Sequence, residues 1–379
     1  AGRLPGGDVA VAIGLQTRTE DLESRSVNFA ASEVPAPYAV PRRDRSVSAV
    51  FAEARLPLVG PDNARPGVRR LDLSLAGRLE HYDDFGETFN PKLGVVWSPQ
   101  EGLNVRASWG TSFRAASLPH LFDLTQVSSS LLPLADGSRV LVLQRHGGNP
   151  DLKPETAETL SAGIDYQPRG GPAFSLNLFE TRFTDRIARP VTENINGVLF
   201  DPALAPFVTR VNPATSPADR ALVESFAGIE GFPAAQPIEN FRAIVDARWV
   251  NTGAVTVRGL DLSGRQGFDL GAGHLALDAS ASWILDYETR PTPTAAVRSV
   301  AGLIGYPVKL RGRAGATWSQ GDLTAGAHWN HVDAYRDRAG VRIDAWDTVD
   351  LQLGWSPDRG ALRGTRVSLT VQNALDADP

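Results

Sequence analysis

Stretches of about ten residues in which apolar and polar side chains alternate recur along the whole 379-residue sequence. In residues 160–167, for example, Leu160, Ala162 and Ile164 occupy one parity, whereas Asp165 and Gln167 occupy the other. A period of two is that of a β-strand with one apolar face. None of these stretches carries the i, i+3, i+4, i+7 spacing of an amphipathic helix, so the sequence predicts a chain that is nearly all strand.

The connections between these stretches alternate between short and long. The short ones, such as SPQEG (98–102), QPRGGP (167–172) and SQGD (319–322), are rich in turn residues. The long ones are polar, contain prolines and are expected to be irregular: residues 19–45, 115–156, 186–250, 288–307 and 334–346. Short turns on one side and long loops on the other are typical of an outer-membrane barrel. We therefore predict an all-β fold, an antiparallel transmembrane β-barrel.

Tryptophan positions give independent support for a membrane. Three tryptophans end the run of alternating apolar residues in a strand just before a short turn: Trp97, Trp318 and Trp355. Three others end such a run just before a long loop: Trp109, Trp283 and Trp329. Such residues are candidate membrane-interface aromatics, because indoles prefer the two headgroup regions. A soluble sandwich would also show alternation and could bury each indole. The charged residues on the opposite parity favour a wet lumen over a dry core.

Composition excludes several other classes. The net charge is -5 and no basic run stands out, which disfavours a nucleic-acid partner. The sequence has no cysteine, so it can form no disulfide or thiolate metal site. It also has no 18-residue apolar run of the kind that a membrane-spanning helix requires. A barrel therefore remains the way in which this chain could cross a membrane.

The strand count suggests that the barrel continues beyond this sequence. We count about thirteen strands, of which the first and the last run toward the long-loop side. Bacterial single-chain barrels have even strand numbers, so at least one returning strand is expected after Pro379. The absence of methionine, including at position 1, also suggests a fragment.

Three segments are similar to a known family. They are GRLEHYDDFGETFNPKLGVVWSPQEGLNVRASWGTSFRAASLPHLF (77–122), GGNPDLKPETAETLSAGIDY (147–166) and VSLTVQNALDADP (367–379). They closely resemble the C-terminal part of TonB-dependent outer-membrane receptors, whose barrel of about 22 strands is closed by an N-terminal plug domain. The resemblance implies that residues 1–379 are the C-terminal portion of such a barrel. The plug, about eight first strands and the closing strand would then lie outside this chain.

The same resemblance implies a function. It predicts an outer-membrane receptor of a Gram-negative bacterium for TonB-energised uptake of a scarce ligand, which could be siderophore-iron, a cobalamin, a saccharide or a peptide. Expected partners are the TonB complex, reached through the plug and N-terminal segment, outer-membrane lipid and the nutrient ligand. No enzyme activity and no cofactor are expected. A passive porin-type channel is the alternative, and it would lack a plug domain upstream.

Candidate ligand contacts lie on the polar parity, toward the lumen or its rim. They are Arg78, Glu80, Arg106, Arg114, Glu155, Arg311 and Arg313. We hypothesise that Arg114 and Glu155, on strands adjacent in chain order, order the base of the loop between them. The alternative is a solvated ion pair worth about 0–1 kcal/mol.

Two other kinds of site are not supported by the sequence. His328 and His331 in HWNH are three residues apart, so on a strand they face opposite sides and would not share a metal ion. A barrel protease or phospholipase would need Ser, His and Asp clustered at a rim, which the parity does not provide. We therefore predict no metal site and no catalytic residue.

Overall fold

The computed structural model describes residues 2–28, 36–292, 295–337 and 339–378, without the side chains of residues 26–28 and 36–40. One antiparallel sheet dominates the chain. Its thirteen main strands are β1 Ala10–Asn28, β2 Ala36–Val59, β3 Arg70–Tyr82, β4 Gly86–Gln100, β5 Leu103–Arg114, β6 Glu155–Tyr166, β7 Ala173–Thr184, β8 Ala254–Leu270, β9 Gly273–Thr289, β10 Leu310–Gln320, β11 Leu323–Val332, β12 Trp346–Trp355 and β13 Val367–Val371. Each pairs with its neighbour in chain order, and the two-residue strand Arg298–Ser299 adds to β9. The predicted antiparallel all-β fold is confirmed.

The sheet is open within the described residues, because β1 and β13 are its two edges and do not pair with each other. The thirteen strands agree with the number predicted from the sequence. Their register places residues of like parity side by side, as in Leu160 opposite Trp109 and Ile164 opposite Val105. We call this thirteen-stranded sheet the wall.

The two faces of the wall differ as the alternation predicted. Leucine, isoleucine and valine side chains of the apolar parity are largely exposed, including Ile13 (73%), Leu160 (55%) and Leu353 (51%). The opposite face carries buried or half-buried polar groups such as Asp72 and Glu80. A soluble sandwich would bury its apolar parity, so this arrangement argues against that alternative.

Short hairpins join the strands at one end of the wall. Two-residue turns connect β4 to β5, β8 to β9 and β10 to β11. Gly102 in the first of these turns has φ 76°, and a Cβ there would lie 2.7 Å from the carbonyl oxygen of Gln167. Glycine is needed at this turn for both its positive φ and its lack of a side chain.

The sequence-based prediction of an irregular loop over residues 19–45 is wrong for the residues that the structure describes. Strand β1 continues to Asn28 and β2 begins at Ala36, with the pairing of the two strands maintained through one irregularity near Leu22. The polar composition of this segment hid the strand signal, because charged side chains lie on both faces where the hairpin extends past the apolar band.

Two other long connections were also predicted to be irregular, and this prediction is wrong. Residues 115–154 and 185–253 contain a four-stranded sheet in the order Val208–Arg210, Phe241–Asp246, Arg139–His146, Gln126–Pro133. They also contain the α-helices Leu118–Phe122, Pro190–Glu193 and Pro217–Glu224, and the 3-10 helices Ile195–Gly197, Pro202–Phe207 and Ile238–Asn240. We call these two connections together the loop unit.

The loop unit has its own apolar core. Its central strands, Arg139–His146 and Phe241–Asp246, pair in parallel although about one hundred residues separate them. The fully buried side chains include those of Val142, Leu143, Phe241 and Val245, and Val223 comes from the helix Pro217–Glu224. Buried apolar surface of this kind stabilises a fold in water by about 25 cal/mol per Å². The loop unit is therefore packed like a small soluble domain.

Short elements complete the described structure. They are the 3-10 helix Pro61–Asn63 and the two-residue strands Arg3–Leu4, Gly7–Asp8, Ile187–Ala188, Val250–Asn251, Tyr335–Arg336 and Arg342–Ile343. No helix among the described residues is both long enough and apolar enough to pass through a bilayer.

Candidate ligand-facing surface

The polar face of the wall brings three of the predicted site residues together. Arg106 of β5 and Arg311 and Arg313 of β10 line one open trough of about 610 Å³. The remaining lining is mainly serine, with Asn177 and Asp261. Residues from strands this far apart share one trough because the polar face is concave.

The three arginines of the trough differ in how they are paired. The Arg106 guanidinium donates from Nε to Asp165 Oδ2 at 3.0 Å and from Nη1 to Asn177 Oδ1 at 2.9 Å. Gly163 permits this close approach, since a Cβ there would lie 2.8 Å from Arg106 Cζ. Arg311 and Arg313, in contrast, form no side-chain hydrogen bond or ion pair with any part of the chain that the structure describes. Their guanidinium groups can therefore donate hydrogen bonds to another molecule.

Arg114 and Glu155, at the rim, are directly opposite each other on β5 and β6. Arg114 Nε lies 2.5 Å from Glu155 Oε2. Glu155 is 8% exposed, and its Oε1 accepts a hydrogen bond from the backbone N–H of Ile187 at 2.7 Å. This carboxylate therefore contacts the last residue of β5, after which the first connection of the loop unit begins, and a residue near the start of the second connection. Whether it orders them stays a hypothesis.

Arg78 and Glu80 belong to a third group, at the β1–β3 edge of the wall. Arg78 donates from Nε to Glu80 and from Nη2 to Gln16 Oε1 at 2.7 Å. Glu80 is buried and also accepts from the Tyr82 hydroxyl at 3.1 Å. Arg18 in turn donates to Tyr82 Oη at 2.7 Å. The pair is thus part of a local network separate from the trough.

Sequence reasoning missed the most buried charge of this network, Arg45. Its side chain is almost completely enclosed, and it donates to Asp84 Oδ2 at 3.0 Å, to the carbonyl oxygen of Ala116 at 2.8 Å and to Glu20. A buried guanidinium needs such partners to offset its desolvation. The polar face of β1 continues through Gln16, Arg18 and Glu20 into the segment predicted to be a loop. This alternation was the sequence signal that could have indicated a strand, and a charged partner, in this segment.

Histidine side chains lie where the loop unit meets the rim. The centre of the His120 ring is 4.3 Å from that of the Trp249 ring. This contact joins the first connection of the loop unit to the second. Burial lowers the pKa of His120, and the nearby charge of Arg114 adds to this effect. His146 lies 3.4 Å from the Arg189 guanidinium, and burial followed by the Arg189 charge lowers its pKa as well. The environment of both rings therefore favours the neutral form over the protonated form.

The described residues contain no group of three or more His, Cys, Asp or Glu side chains placed to hold a metal ion. His331 pairs with Asp347 at 2.9 Å beside Trp329 on the apolar face. His328 lies opposite Asp350, whose carboxylate contacts Asn330 and Asn373 on the polar face. The two histidines thus face opposite sides, as the strand period predicted.

The six tryptophans fall into two groups by their position along the strands. Trp97, Trp318 and Trp355 are near the short-turn ends of β4, β10 and β12, whereas Trp109, Trp283 and Trp329 lie toward the long-loop side. Trp97, Trp283 and Trp329 are 40–49% exposed. Two of the indoles on the long-loop side donate to carboxylates at their level, Trp109 to Glu158 and Trp329 to Asp347.

An exposed apolar outer face, a charged concave inner face and a folded loop unit define the wall of a transmembrane β-barrel receptor. The sequence model described as "TonB dependent receptor-like, beta-barrel" matches residues 3–374. The chain therefore belongs to the TonB-dependent receptor β-barrel family. This confirms the resemblance seen in the sequence and the outer-membrane localisation.

Individual relatives agree with this assignment. The iron-regulated outer membrane virulence protein of Vibrio cholerae is 34% identical over 118 residues, which are 31% of this chain and 16% of that protein. The ferric enterobactin receptor of Pseudomonas aeruginosa, solved in complex with enterobactin, has the same fold, with a TM-score of 0.65 and 15% identity. The siderophore receptor PirA of Acinetobacter baumannii is also similar, with a TM-score of 0.56 and 14% identity.

The match to these structures covers nearly all of this chain but only part of theirs. It includes 97% of this chain and 46% of the ferric enterobactin receptor, and 96% of this chain and 51% of PirA. The chain thus spans about half the length of the receptors whose fold it shares. The two solved relatives are receptors, and nothing in the comparisons supports a passive porin.

Proposed function

We propose that this chain is the C-terminal portion of the barrel of a receptor that takes up a ferric siderophore across the outer membrane, energised by TonB. The plug domain, the first strands and the closing strand would lie in other parts of the whole receptor. TonB would act through that plug and the N-terminal segment. The receptor would break no bond in its ligand, so no catalytic residue is needed.

The observation that carries the choice of ligand is the trough on the polar face. Arg311 and Arg313 are unpaired among the described residues and share the trough with Arg106. Ferric chelates built from catecholate or carboxylate groups are anionic, and guanidinium groups are well suited to bind such oxygens. The description of the Vibrio relative as iron-regulated supports iron over a cobalamin, a saccharide or a peptide.

Membrane lipid is the proposed partner of the apolar face. Its exposed leucines, isoleucines and valines would be costly in water over so large an area. The two groups of tryptophans suit the two headgroup regions.

Four further residues are proposed to line the ligand's path, two of them at the rim. They form two pairs, Arg78 with Glu80 and Arg114 with Glu155.

Uptake of radio-iron as siderophore complexes by iron-limited cells would test the proposal. Deleting the gene of the whole receptor should abolish uptake of the cognate anionic complex, and deleting tonB should do the same. In the restored full-length receptor, the double variant Arg311→Glu/Arg313→Glu should slow uptake several-fold. The matched control is Arg359→Glu, an exposed arginine of the β12–β13 turn that lies outside the trough.

Two results would overturn the proposal, and a third would overturn the role of the trough. Loss of cobalamin, saccharide or peptide uptake on gene deletion, with siderophore uptake unchanged, would assign a different ligand. Uptake that persists without TonB would identify a passive channel. Equal uptake by the Arg311→Glu/Arg313→Glu variant and the control would remove the trough from the ligand's path.

A further inference from the structure

A basic patch lies at the short-turn end of the wall, on its outward side. Three connections supply it: the β2–β3 connection with Arg65 and Arg69, the β4–β5 turn with Glu101 and the β6–β7 connection with Arg169. We call these four residues the basic rim. Three arginines and one carboxylate leave an excess of two positive charges, in a chain whose net charge is -5.

The direction of Arg69 follows from strand β3. Arg69 comes two residues before Leu71, so it continues the parity of Leu71 and Leu73, which is the apolar parity of that strand. Its backbone N–H donates to the carbonyl oxygen of Ser98 at 2.8 Å. The contact between β3 and β4 therefore extends to Arg69, and its side chain lies on the outward face of the wall.

The turn that carries Arg65 lies against an outward-facing indole. Trp97 of the apolar face donates from Nε1 to the carbonyl oxygen of Gly67 at 2.9 Å. Within the turn, the backbone groups of Arg65 and Val68 exchange hydrogen bonds of 3.0 and 2.9 Å. Exposed indoles at the ends of barrel strands are enriched at the level of lipid headgroups. Arg65 is thus presented on an ordered turn at that level, which lowers the entropic cost of binding a partner.

The positive charge of the basic rim is not balanced within the described residues. Arg65 is exposed and makes no ion pair or side-chain hydrogen bond there. Glu101 lies 3.9 Å from Arg69 and 2.7 Å from Arg169, and it can neutralise only one of them. The side chains of these two arginines are 58% and 92% exposed. Asp62, in the same connection as Arg65, is already paired with another arginine at 3.1 Å.

The long-loop end of the outward face has a different charge pattern. Glu180 pairs with both Arg182 and Arg258, and Arg258 also lies 3.7 Å from Asp286. Glu158, on the neighbouring strand, accepts a hydrogen bond from an indole. In this group three carboxylates accompany two arginines, and each arginine has a carboxylate partner. Unbalanced guanidinium groups therefore distinguish the short-turn end from this group.

The chemistry of the basic rim suits one class of lipid. Short turns of outer-membrane barrels lie on the periplasmic side, so the adjacent headgroups belong to the inner leaflet. A phosphodiester presents two oxygens that share one negative charge, and a guanidinium group can donate to both. A zwitterionic headgroup also carries an ammonium group, which the excess positive charge repels, whereas an anionic headgroup does not.

We propose that the basic rim binds the headgroup of an anionic phospholipid of the inner leaflet and so fixes the short-turn edge of the wall at headgroup level. The inference rests on the proposed contact of the apolar face with membrane lipid. Arginines near a membrane surface attract anionic lipids, and Trp97 positions one of them beside the acyl-chain boundary.

Native mass spectrometry of the full-length receptor, purified in detergent, would test this. Phosphatidylglycerol and phosphatidylcholine with the same acyl chains are the probes, because they differ in net charge but not in their chains. The wild-type receptor should retain phosphatidylglycerol at several-fold higher occupancy, and high salt should reduce the difference. Arg65→Glu/Arg69→Glu should lower the phosphatidylglycerol occupancy to that of phosphatidylcholine.

The matched control is Arg139→Glu/Arg242→Glu, which makes the same change of net charge at two exposed arginines of the loop unit. It should leave the occupancy unchanged. Trp97→Phe keeps an aromatic ring but removes the hydrogen bond to Gly67, so it should lower the occupancy less than Arg65→Glu/Arg69→Glu does. Positions 65 and 69 lie outside β2 and β3, and heat-modifiable mobility would show that each variant has assembled.

A phosphatidylglycerol with a photoreactive group beside its headgroup would locate the site in the outer membrane itself. Crosslinked peptides should include residues 61–70 or 98–102. Arg65→Glu/Arg69→Glu should remove these crosslinks, whereas the control variant should keep them.

Several outcomes would overturn the site. They are equal occupancy of the two lipids, equal phosphatidylglycerol occupancy in Arg65→Glu/Arg69→Glu and the control, and crosslinks only elsewhere on the wall. Inorganic phosphate that displaces the lipid at equal concentration would identify an ion site only and would also overturn it. None of these results depends on the transported ligand or on TonB, and membrane assembly of Leu277→Arg tests the lipid contact of the apolar face separately.

Discussion

The wall and the loop unit place their apolar side chains on opposite sides of the backbone, outward in the wall and inward in the loop unit. In the wall, backbone hydrogen bonds between neighbouring strands hold the sheet while the apolar side chains point outward and remain exposed. In the loop unit, short strands surround side chains such as Phe241, Leu143 and Val142 that are completely buried. The difference teaches that one chain can leave apolar side chains on the outer face of one region and enclose them in the interior of another.

The two regions also differ in how far along the chain their contacts reach. Each wall strand pairs with the next wall strand in chain order, and three of the connections between them are only two residues long. The central pair of the loop unit joins Arg139–His146 to Phe241–Asp246. Loop closure over such a distance costs more entropy than closing a hairpin, and burial of the shared core offsets it.

The largest expected effect distinguishes the core of the loop unit from the wall. Phe241→Ala should destabilise the loop unit by about 3–5 kcal/mol, because it leaves a cavity at a fully buried site. Hydrogen exchange of the full-length receptor should then quicken across residues 115–154 and 185–253 and not in the wall. Leu222→Ala, at a 40% exposed position of the same unit, is the control. Equal quickening in the wall would show that the two regions are one cooperative unit.

A somewhat smaller effect is expected on the apolar face. Leu277 lies between Leu275 and Trp283 on the outward parity of β9, so Leu277→Arg should impair membrane assembly by about 2–4 kcal/mol. Asp278→Asn, one residue along on the polar face, should have little effect. The measurement is the fraction of receptor that assembles into membranes in a heat-modifiable folded form. Equal tolerance at both positions would refute the assignment of the two faces.

The smallest expected effect concerns pH. The pKa of His120 and that of His146 are lowered in the folded loop unit, so the unfolded form takes up protons first. Stability of the loop unit should be full above about pH 6.5 and decline as the pH falls below that value. Proteolysis of the loop unit at decreasing pH would measure it. His120→Gln/His146→Gln should flatten the dependence, whereas His81→Gln, in the wall, should not.

The sequence predicted most of the wall correctly because the wall is repetitive and local. Period-two alternation identified the strands, and turn chemistry at SPQEG and SQGD located the hairpins. Parity then placed Arg106, Arg311 and Arg313 on one face, and the structure brings them into one trough. The pairing of Arg114 with Glu155 also followed from the register of two strands adjacent in chain order.

The sequence by itself thus determined the number of main strands in the wall, most of their residues and which of their side chains share a face. Only the tertiary structure decided that two connections fold together around Phe241, and that Arg45 is enclosed among Glu20, Asp84 and the backbone of Ala116. The physical reason is the distance along the chain between the residues that interact. Alternation and turn preference are written in neighbouring residues, whereas a buried core or a buried charge depends on partners that come from distant parts of the chain and leave no periodic signal.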